Sequence, residues 1–198
     1  MRSKLKAGRV FYLQLENIAP KDYCVFMDVI SHGLWGGITV GRRSRKSYWT
    51  AFAFGVAPDV IAFGPFFGDR LLLHGADFLN QMGHKPDPAL IPAYVHSLYH
   101  LTHSYLVFAA VFGIVWIARR KPLHEMWAWG LHISMDIFTH NSAFFPTPFL
   151  WPVSEFHVDG IPWSTPVIFF PNWGLLIVFY AWFLYRKLKS RVPQDPLA

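Results

Sequence analysis

The chain has 198 residues, of which 53% are hydrophobic and only 15% are charged, whereas soluble domains carry about 25% charged residues, so the composition argues against a soluble globular domain. The single cysteine, Cys24, excludes an internal disulfide framework and a metal site built from a cluster of cysteines. The net charge of +6 does not indicate a nucleic-acid partner, because the basic residues fall in short clusters and the last three clusters adjoin long apolar runs, as in the positive-inside pattern of membrane proteins.

Apolar segments of helical length follow one another along the chain. The first, residues 24–40, is weak, whereas residues 48–67 approach one membrane thickness and contain Pro58-Asp59. The remaining three segments are residues 98–117, 123–138 and 167–185. The sequence therefore predicts an all-α fold, a polytopic transmembrane helical bundle of about four to five spans.

The basic clusters predict how these segments are oriented across the membrane. If the clusters at 42–46, 119–121 and 186–191 are cytoplasmic, the connections 68–95 and 141–166 lie on the outer side. Basic residues 2–9 do not fit this orientation. Either residues 1–23 form an interfacial amphipathic segment beside a re-entrant first helix, or the native start is Met27. The predicted organisation is a basic N-terminal extension, 1–26, a transmembrane domain, 27–191, and a tail, 192–198.

Histidines and aspartates inside the apolar segments are unusual, because a charged group at the bilayer centre costs about 2.5–3.5 kcal/mol or more. Most of them are spaced by three or four residues, which places each set on one face of its helix. The sets are Asp28 and His32; His96, His100 and His103; and His132, Asp136 and His140. Asp59, which follows Pro58, stands alone in its segment.

Residues of these sets are expected to lie at similar depths in the membrane. At about 1.5 Å per residue, His32, Asp59, His103, His132 and Asp136 lie roughly 12–21 Å from the cytoplasmic ends of four segments. Neutral histidine nitrogen and carboxylate oxygen are ligands of zinc and similar divalent ions, so we expect a metal site toward the outer half of the membrane. Three alternatives remain: an isolated histidine can be a satisfied core residue, Asp59 can cap or kink its helix, and the same residues can line a proton or ion pathway.

Four short motifs resemble, in their order, the bacterial membrane-bound metal-dependent hydrolase family typified by YdjM. They are Met27-Asp28 through His32-Gly33, Ala57-Pro58-Asp59, Leu101-Thr102-His103-Ser104, and His132 through Asp136 to His140. The family is in turn similar to zinc-dependent phospholipase C. The chain departs from the family pattern at Leu98, where a His-Arg pair is expected, and His100 lies closer to the Thr-His-Ser motif.

The resemblance implies a ligand set and an activity. The implied metal ligands are His32, Asp59, His103, His132 and Asp136, with His100 as a further candidate and Asp136 as a bridge between two ions. It also implies one or two zinc ions and hydrolysis of a phosphoester, with a lipid-linked phosphoester as the candidate substrate and with Asp59 or Asp136 acting on the water. The expected location is the bacterial cytoplasmic (inner) membrane, with membrane lipid and an amphiphilic substrate as partners. The alternative function is a non-enzymatic membrane metal-binding or ion-transport protein.

Overall fold

The computed structural model of this chain describes residues 25–81 and 91–189. Within these ranges the chain is helical, with one isolated β-bridge and no strand. The helices are α1 (Val25–Thr39), α2 (Arg45–Gln81), α3 (Ala93–Thr102), α4 (Tyr105–Arg119), α5 (Trp127–Thr139) and α6 (Pro166–Lys189), with a 3₁₀ turn at His124–Met126. The all-α prediction is thus confirmed for these residues, while the predicted tail, 192–198, and residues 1–24 of the predicted extension lie outside them.

Two of the described helices are long and apolar enough to cross a membrane, namely α6 and the part of α2 from Arg45 to Leu73. Helices α3 and α4 satisfy the same test together, but they are bent by 61° at the break between them. Helices α1 and α5 have 15 and 13 residues, fewer than the roughly 20 that a perpendicular span needs. By length and composition, the described residues therefore contain two candidate spans, or three if the bent pair counts as one.

Helices α1 and α2 pack closely because glycines line their contact. A Cβ atom on Gly36 would lie 2.8 Å from the carbonyl oxygen of Ala51, and one on Gly55 would lie 2.6 Å from that of His32. Such distances are shorter than side-chain carbons tolerate, so the two backbones can approach this closely only at glycine. The approach carries His32 of α1 to the level of Asp59 in α2.

The predicted continuous helix over residues 98–117 is instead broken at His103 and Ser104. Helix α3 ends at Thr102, and the Ser104 side chain caps α4 by accepting hydrogen bonds from the backbone N–H groups of Leu106 and Val107. The Ser104 hydroxyl donates to the carbonyl oxygen of Trp151 in the long loop after α5. Because a capping serine favours a helix start over a helix interior, the local sequence and this loop contact together account for the break.

The loop between α5 and α6 folds back over the C-terminal end of α5. The backbone N–H of Gly160 donates to the His140 carbonyl at 2.8 Å, and that of Trp163 donates to the Thr139 carbonyl at 2.9 Å. Within the loop, the Ser142 backbone N–H and hydroxyl donate to Asp159, at 2.7 and 3.0 Å, and these bonds lower the pKa of the Asp159 carboxyl. The loop therefore covers the end of the bundle at which the histidine and aspartate side chains meet.

Helix α6 packs mainly against α1. The Trp35 indole N–H donates to the Asn172 side-chain oxygen at 2.7 Å, and the Tyr180 hydroxyl donates to the Leu34 carbonyl at 2.9 Å. The other face of α6 is apolar and exposed; Ile177, for example, has 67% of its surface accessible. An apolar face without protein cover is what a helix facing lipid presents.

Candidate metal centre

Side chains from α1, α2, the α3–α4 break, and α5 with its C-cap residue converge on one buried site. The carboxylate of Asp136 lies at its centre and is fully buried, within 3.1–3.2 Å of three imidazole nitrogens. The remaining members surround it: Asp28, His32, Asp59, His103, His132 and His140. Three carboxylates thus share a small volume, and in the described part of the chain all their ion-pair partners are histidines.

Four of these side chains form a compact group that can hold a metal ion: Asp59, His103, His132 and Asp136. The Nε2 atom of His103 lies 2.9 Å from Nε2 of His132, 3.1 Å from Oδ2 of Asp136 and 3.4 Å from Oδ1 of Asp59. The Nε2 atom of His132 lies 3.2 Å and 3.7 Å from the same two oxygens. Zinc bonds of about 2.0–2.2 Å in a tetrahedron require ligand atoms about 3.3–3.6 Å apart. The five distances bracket that value.

The hydrogen bonds of the two histidines fix which ring nitrogens carry protons. Nδ1 of His103 lies 3.1 Å from the Tyr99 carbonyl oxygen, and Nδ1 of His132 lies 2.7 Å from the Gly55 carbonyl oxygen. A carbonyl oxygen only accepts, so each Nδ1 carries a proton, and in a neutral ring that proton is the only one. Two neutral rings present the lone pairs of both Nε2 atoms to each other and to two carboxylate oxygens. A cation among these four atoms would resolve that repulsion, and a backbone carbonyl behind each imidazole is the usual support of a metal-bound histidine.

Unpartnered buried atoms support the same interpretation. Among the described residues, both ring nitrogens of His32 and both carboxylate oxygens of Asp136 are buried without a hydrogen bond. Nε2 of His32 is only 3.1 Å from Oδ1 of Asp136, but the contact does not have hydrogen-bond geometry. Buried polar atoms left without partners are costly, and buried carboxylates without compensating charge are more so. A divalent cation would satisfy both requirements.

Aromatic and hydroxyl groups hold this cluster in place. The Tyr99 ring stacks on the His103 imidazole, with ring centroids 3.8 Å apart and planes inclined by 20°. The Tyr99 hydroxyl lies 2.8 Å from Nδ1 of His140 and 2.9 Å from the Thr147 hydroxyl oxygen, and it donates to the Phe145 carbonyl at 3.1 Å. One tyrosine therefore orients two histidines from different parts of the chain.

The structure brings together five of the six metal ligands predicted from the sequence. These are His32, Asp59, His103, His132 and Asp136. His100 lies away from them, with its ring 6.5 Å from that of Trp151, and it belongs to neither group of clustered ligands in the described residues. His96, on the same face of α3, stacks on Phe145 at 4.6 Å. Of that predicted face, only His103, the C-cap residue of α3, reaches the cluster.

Two further members, Asp28 and His140, were not among the predicted ligands. Together with Asp136 they form a second group that can hold a metal ion. Their spacing of four residues from His32 and from Asp136 was a signal in the sequence, since it placed them on the ligand faces of α1 and α5. Helical spacing alone did not show whether the His140 side chain contacts the cluster, because His140 lies just beyond the end of α5.

Comparison of the chain with protein-family models, with curated proteins and with solved structures finds no match.

Proposed function

We propose that this chain is a membrane-embedded, metal-dependent hydrolase that acts on a phosphoester. The observation that carries the proposal is the buried group of Asp59, His103, His132 and Asp136, in which the Nε2 atoms of two imidazoles face each other and two carboxylate oxygens. Nitrogen and oxygen donors at near-tetrahedral spacing favour zinc among the divalent ions. The spacing of the ligand atoms supports metal binding. The proposed reaction is inferred from what such metal centres do in enzymes.

A zinc-type ion would lower the pKa of a bound water toward about 7 and would stabilise charge on phosphoryl oxygens. Of the two proposed catalytic carboxylates, Asp59 suits the role of base, because it lines a small cavity of about 20 Å³ beside the cluster, which is enough for about one water molecule. Asp136 has no such access, since it is completely buried. The preference for a phosphoester rests on the ordered motifs that resemble the YdjM-like hydrolases.

The proposed setting is the cytoplasmic membrane of a bacterium, with four to five of the apolar segments inserted. The apolar exposed face of α6 and the length of α2 support insertion. If the basic clusters after α1 and at the ends of α4 and α6 are cytoplasmic, the cluster lies toward the outer half of the membrane, under the loop after α5. An amphiphilic or lipid-linked phosphoester would reach the site from that side.

Metal analysis of the detergent-purified protein tests the proposal. We expect stoichiometric zinc or a similar metal in the wild type, its loss in His103→Gln and Asp136→Asn, and its retention in His100→Gln, the matched control on α3. Addition of bis-p-nitrophenyl phosphate and phospholipid substrates should then give metal-dependent hydrolysis. A wild type without stoichiometric metal would overturn the proposal. A metal-bound protein that moves ions across liposomes and hydrolyses neither substrate would replace it with the transport function.

A further inference from the structure

Two small cavities lie beside the cluster, and both are lined by Asp28 and Trp163. The first, of about 40 Å³, lies between α1, α5 and α6 and is also lined by Ser31. The second, of about 20 Å³, lies between α1, α2 and the loop after α5 and is also lined by Asp59. One water molecule needs about 10–15 Å³ of such a cavity. The two cavities therefore hold a few water molecules, but neither accommodates a phosphoester group.

Trp163 forms part of the wall between these cavities. Asp28 and Trp163 are the two residues that the cavities share. Asp28 belongs to the cluster, whereas Trp163 comes from the loop after α5 and is the most buried of the nine tryptophans, with 8% of its surface accessible. The indole is the larger of the two shared side chains, so its position decides whether the cavities are separate or joined.

The backbone of Trp163 is held in place, whereas its ring is not. The backbone N–H donates to the Thr139 carbonyl at 2.9 Å. In the described part of the chain, however, the Trp163 indole makes no hydrogen bond and pairs with no other aromatic ring. The indole N–H of Trp129, by contrast, donates to the Thr102 carbonyl at 2.6 Å. A buried indole N–H usually has such a partner, so the Trp163 ring can leave its position at the cost of apolar contacts alone.

The first cavity has both polar and apolar walls. Its lining includes the polar residues Ser31 and Asn172 and the apolar residues Ile168 and Phe169. The indole N–H of Trp35 donates to the Asn172 side-chain oxygen at 2.7 Å, which leaves the amide N–H₂ group of Asn172 as a donor. A ligand that combines a phosphoryl oxygen with an apolar group matches both kinds of wall, as an amphiphilic phosphoester does.

We propose that the Trp163 side chain controls which molecules reach the cluster. In its described position the ring keeps the two cavities apart, and only water fits beside Asp28. When the ring rotates away, the cavities and the volume that it leaves form one space, which admits an amphiphilic phosphoester. Control of access follows from the geometry of the cavities, whereas the nature of the admitted molecule rests on the proposed function.

Thiol labelling tests this access without reference to metal or activity. A reporter cysteine in the first cavity, Ser31→Cys, is introduced into the full chain carrying Cys24→Ser, and its reaction rate with methyl methanethiosulfonate is measured in detergent. Minor conformations are commonly populated at about 0.1–10%. If the reporter reacts only while the ring is displaced, Trp163→Ala should raise its rate about 10–1,000-fold. Trp163→Phe should give a smaller rise and remains informative if the alanine variant does not fold.

Two controls separate access from a general loosening of the bundle. Ser134, whose hydroxyl donates to the Gly130 carbonyl, lies on α5 and lines neither cavity, so Trp163→Ala should leave the rate at Ser134→Cys unchanged. Phe156→Ala changes an exposed aromatic residue of the same loop and should not alter the rate at Ser31→Cys. An unchanged rate at Ser31→Cys in both Trp163 variants, or an equal rise at both reporters, would overturn the control of access.

Hydrolysis of bis-p-nitrophenyl phosphate and of phospholipid is measured separately on the chain with Ser31 intact. A faster reaction of Ser31→Cys in the Trp163 variants, without hydrolysis of any phosphoester by the wild type, would leave the control of access in place and remove the proposed function. Metal-dependent hydrolysis by the wild type, with an unchanged rate at Ser31→Cys, would keep the proposed function and remove the role of Trp163.

Discussion

The Nε2 atoms of His103 and His132 lie 2.9 Å apart, while the Nδ1 atom of each ring faces a backbone carbonyl oxygen. If both rings are neutral, two lone pairs meet at that distance, and the neighbouring oxygens of Asp59 and Asp136 add negative charge. The folded chain therefore needs positive charge at its centre, which a metal ion supplies or, in its absence, a proton on one imidazole. This relationship leads to the first prediction, on stability without metal.

Removal of metal should destabilise the protein. A ligand that binds only the folded state at 100 times its dissociation constant adds about 2.7 kcal/mol to the free energy of unfolding. We expect the melting temperature in detergent to fall when a chelator is added and to recover with zinc. His103→Gln, which removes one ligand, should show little response to the chelator. An equal response of both proteins would contradict a stabilising ion at this group.

Gly55→Ala should disturb both packing and the site. The added Cβ would lie 2.6 Å from the His32 carbonyl oxygen, and the Gly55 carbonyl supports His132. Overpacking of this kind costs about 1–3 kcal/mol, so we expect a lower melting temperature together with weaker metal binding. Gly113→Ala is the matched control, because a Cβ there meets nothing within 4 Å. Thermal unfolding and metal titration of the two variants measure the difference.

Tyr99→Phe should weaken metal binding while leaving the fold intact. The ring that stacks on His103 remains, but the hydroxyl that orients His140 is lost. Loss of such a supporting partner typically lowers metal affinity about 10–100-fold. Competition with a chromophoric chelator measures the affinity. Tyr105→Phe, which removes a hydroxyl bonded to Ser134 away from the cluster, should retain wild-type affinity.

Ser104→Ala should destabilise the break between α3 and α4. The side chain accepts from the N–H groups of Leu106 and Val107 and donates to the Trp151 carbonyl. Loss of a helix cap costs about 0.5–2 kcal/mol, and the unpaired Trp151 carbonyl adds to this. Ser97→Ala removes an exposed hydroxyl bonded within α3 and serves as the control. If both variants unfold at the same temperature, the cap does not determine the break.

Helix positions could be predicted where the local sequence is a long, mostly apolar segment. The segment at 167–185 corresponds to α6, Pro166–Lys189, and the segment at 48–67 lies inside α2, Arg45–Gln81. The break at His103 could not be predicted as readily, because a serine caps a helix only where its neighbours also allow the helix to begin. In the structure the Trp151 carbonyl, 47 residues later in the chain, receives the Ser104 hydroxyl and favours that conformation.

By itself, the sequence determined the helical class, the apolar segments and the residue types of the cluster, because composition and helical spacing are local properties. Tertiary structure decided which of these side chains meet. Spacing places residues on one face of a helix but does not decide which of them meet other helices; His103, at the C-cap of α3, reaches the cluster, whereas His100 lies beside Trp151. The close approach of α1 and α2 at Gly55 and the position of Tyr99 beside His140 bring atoms together that lie far apart in the chain. Those contacts decided that Asp28 and His140 join the site.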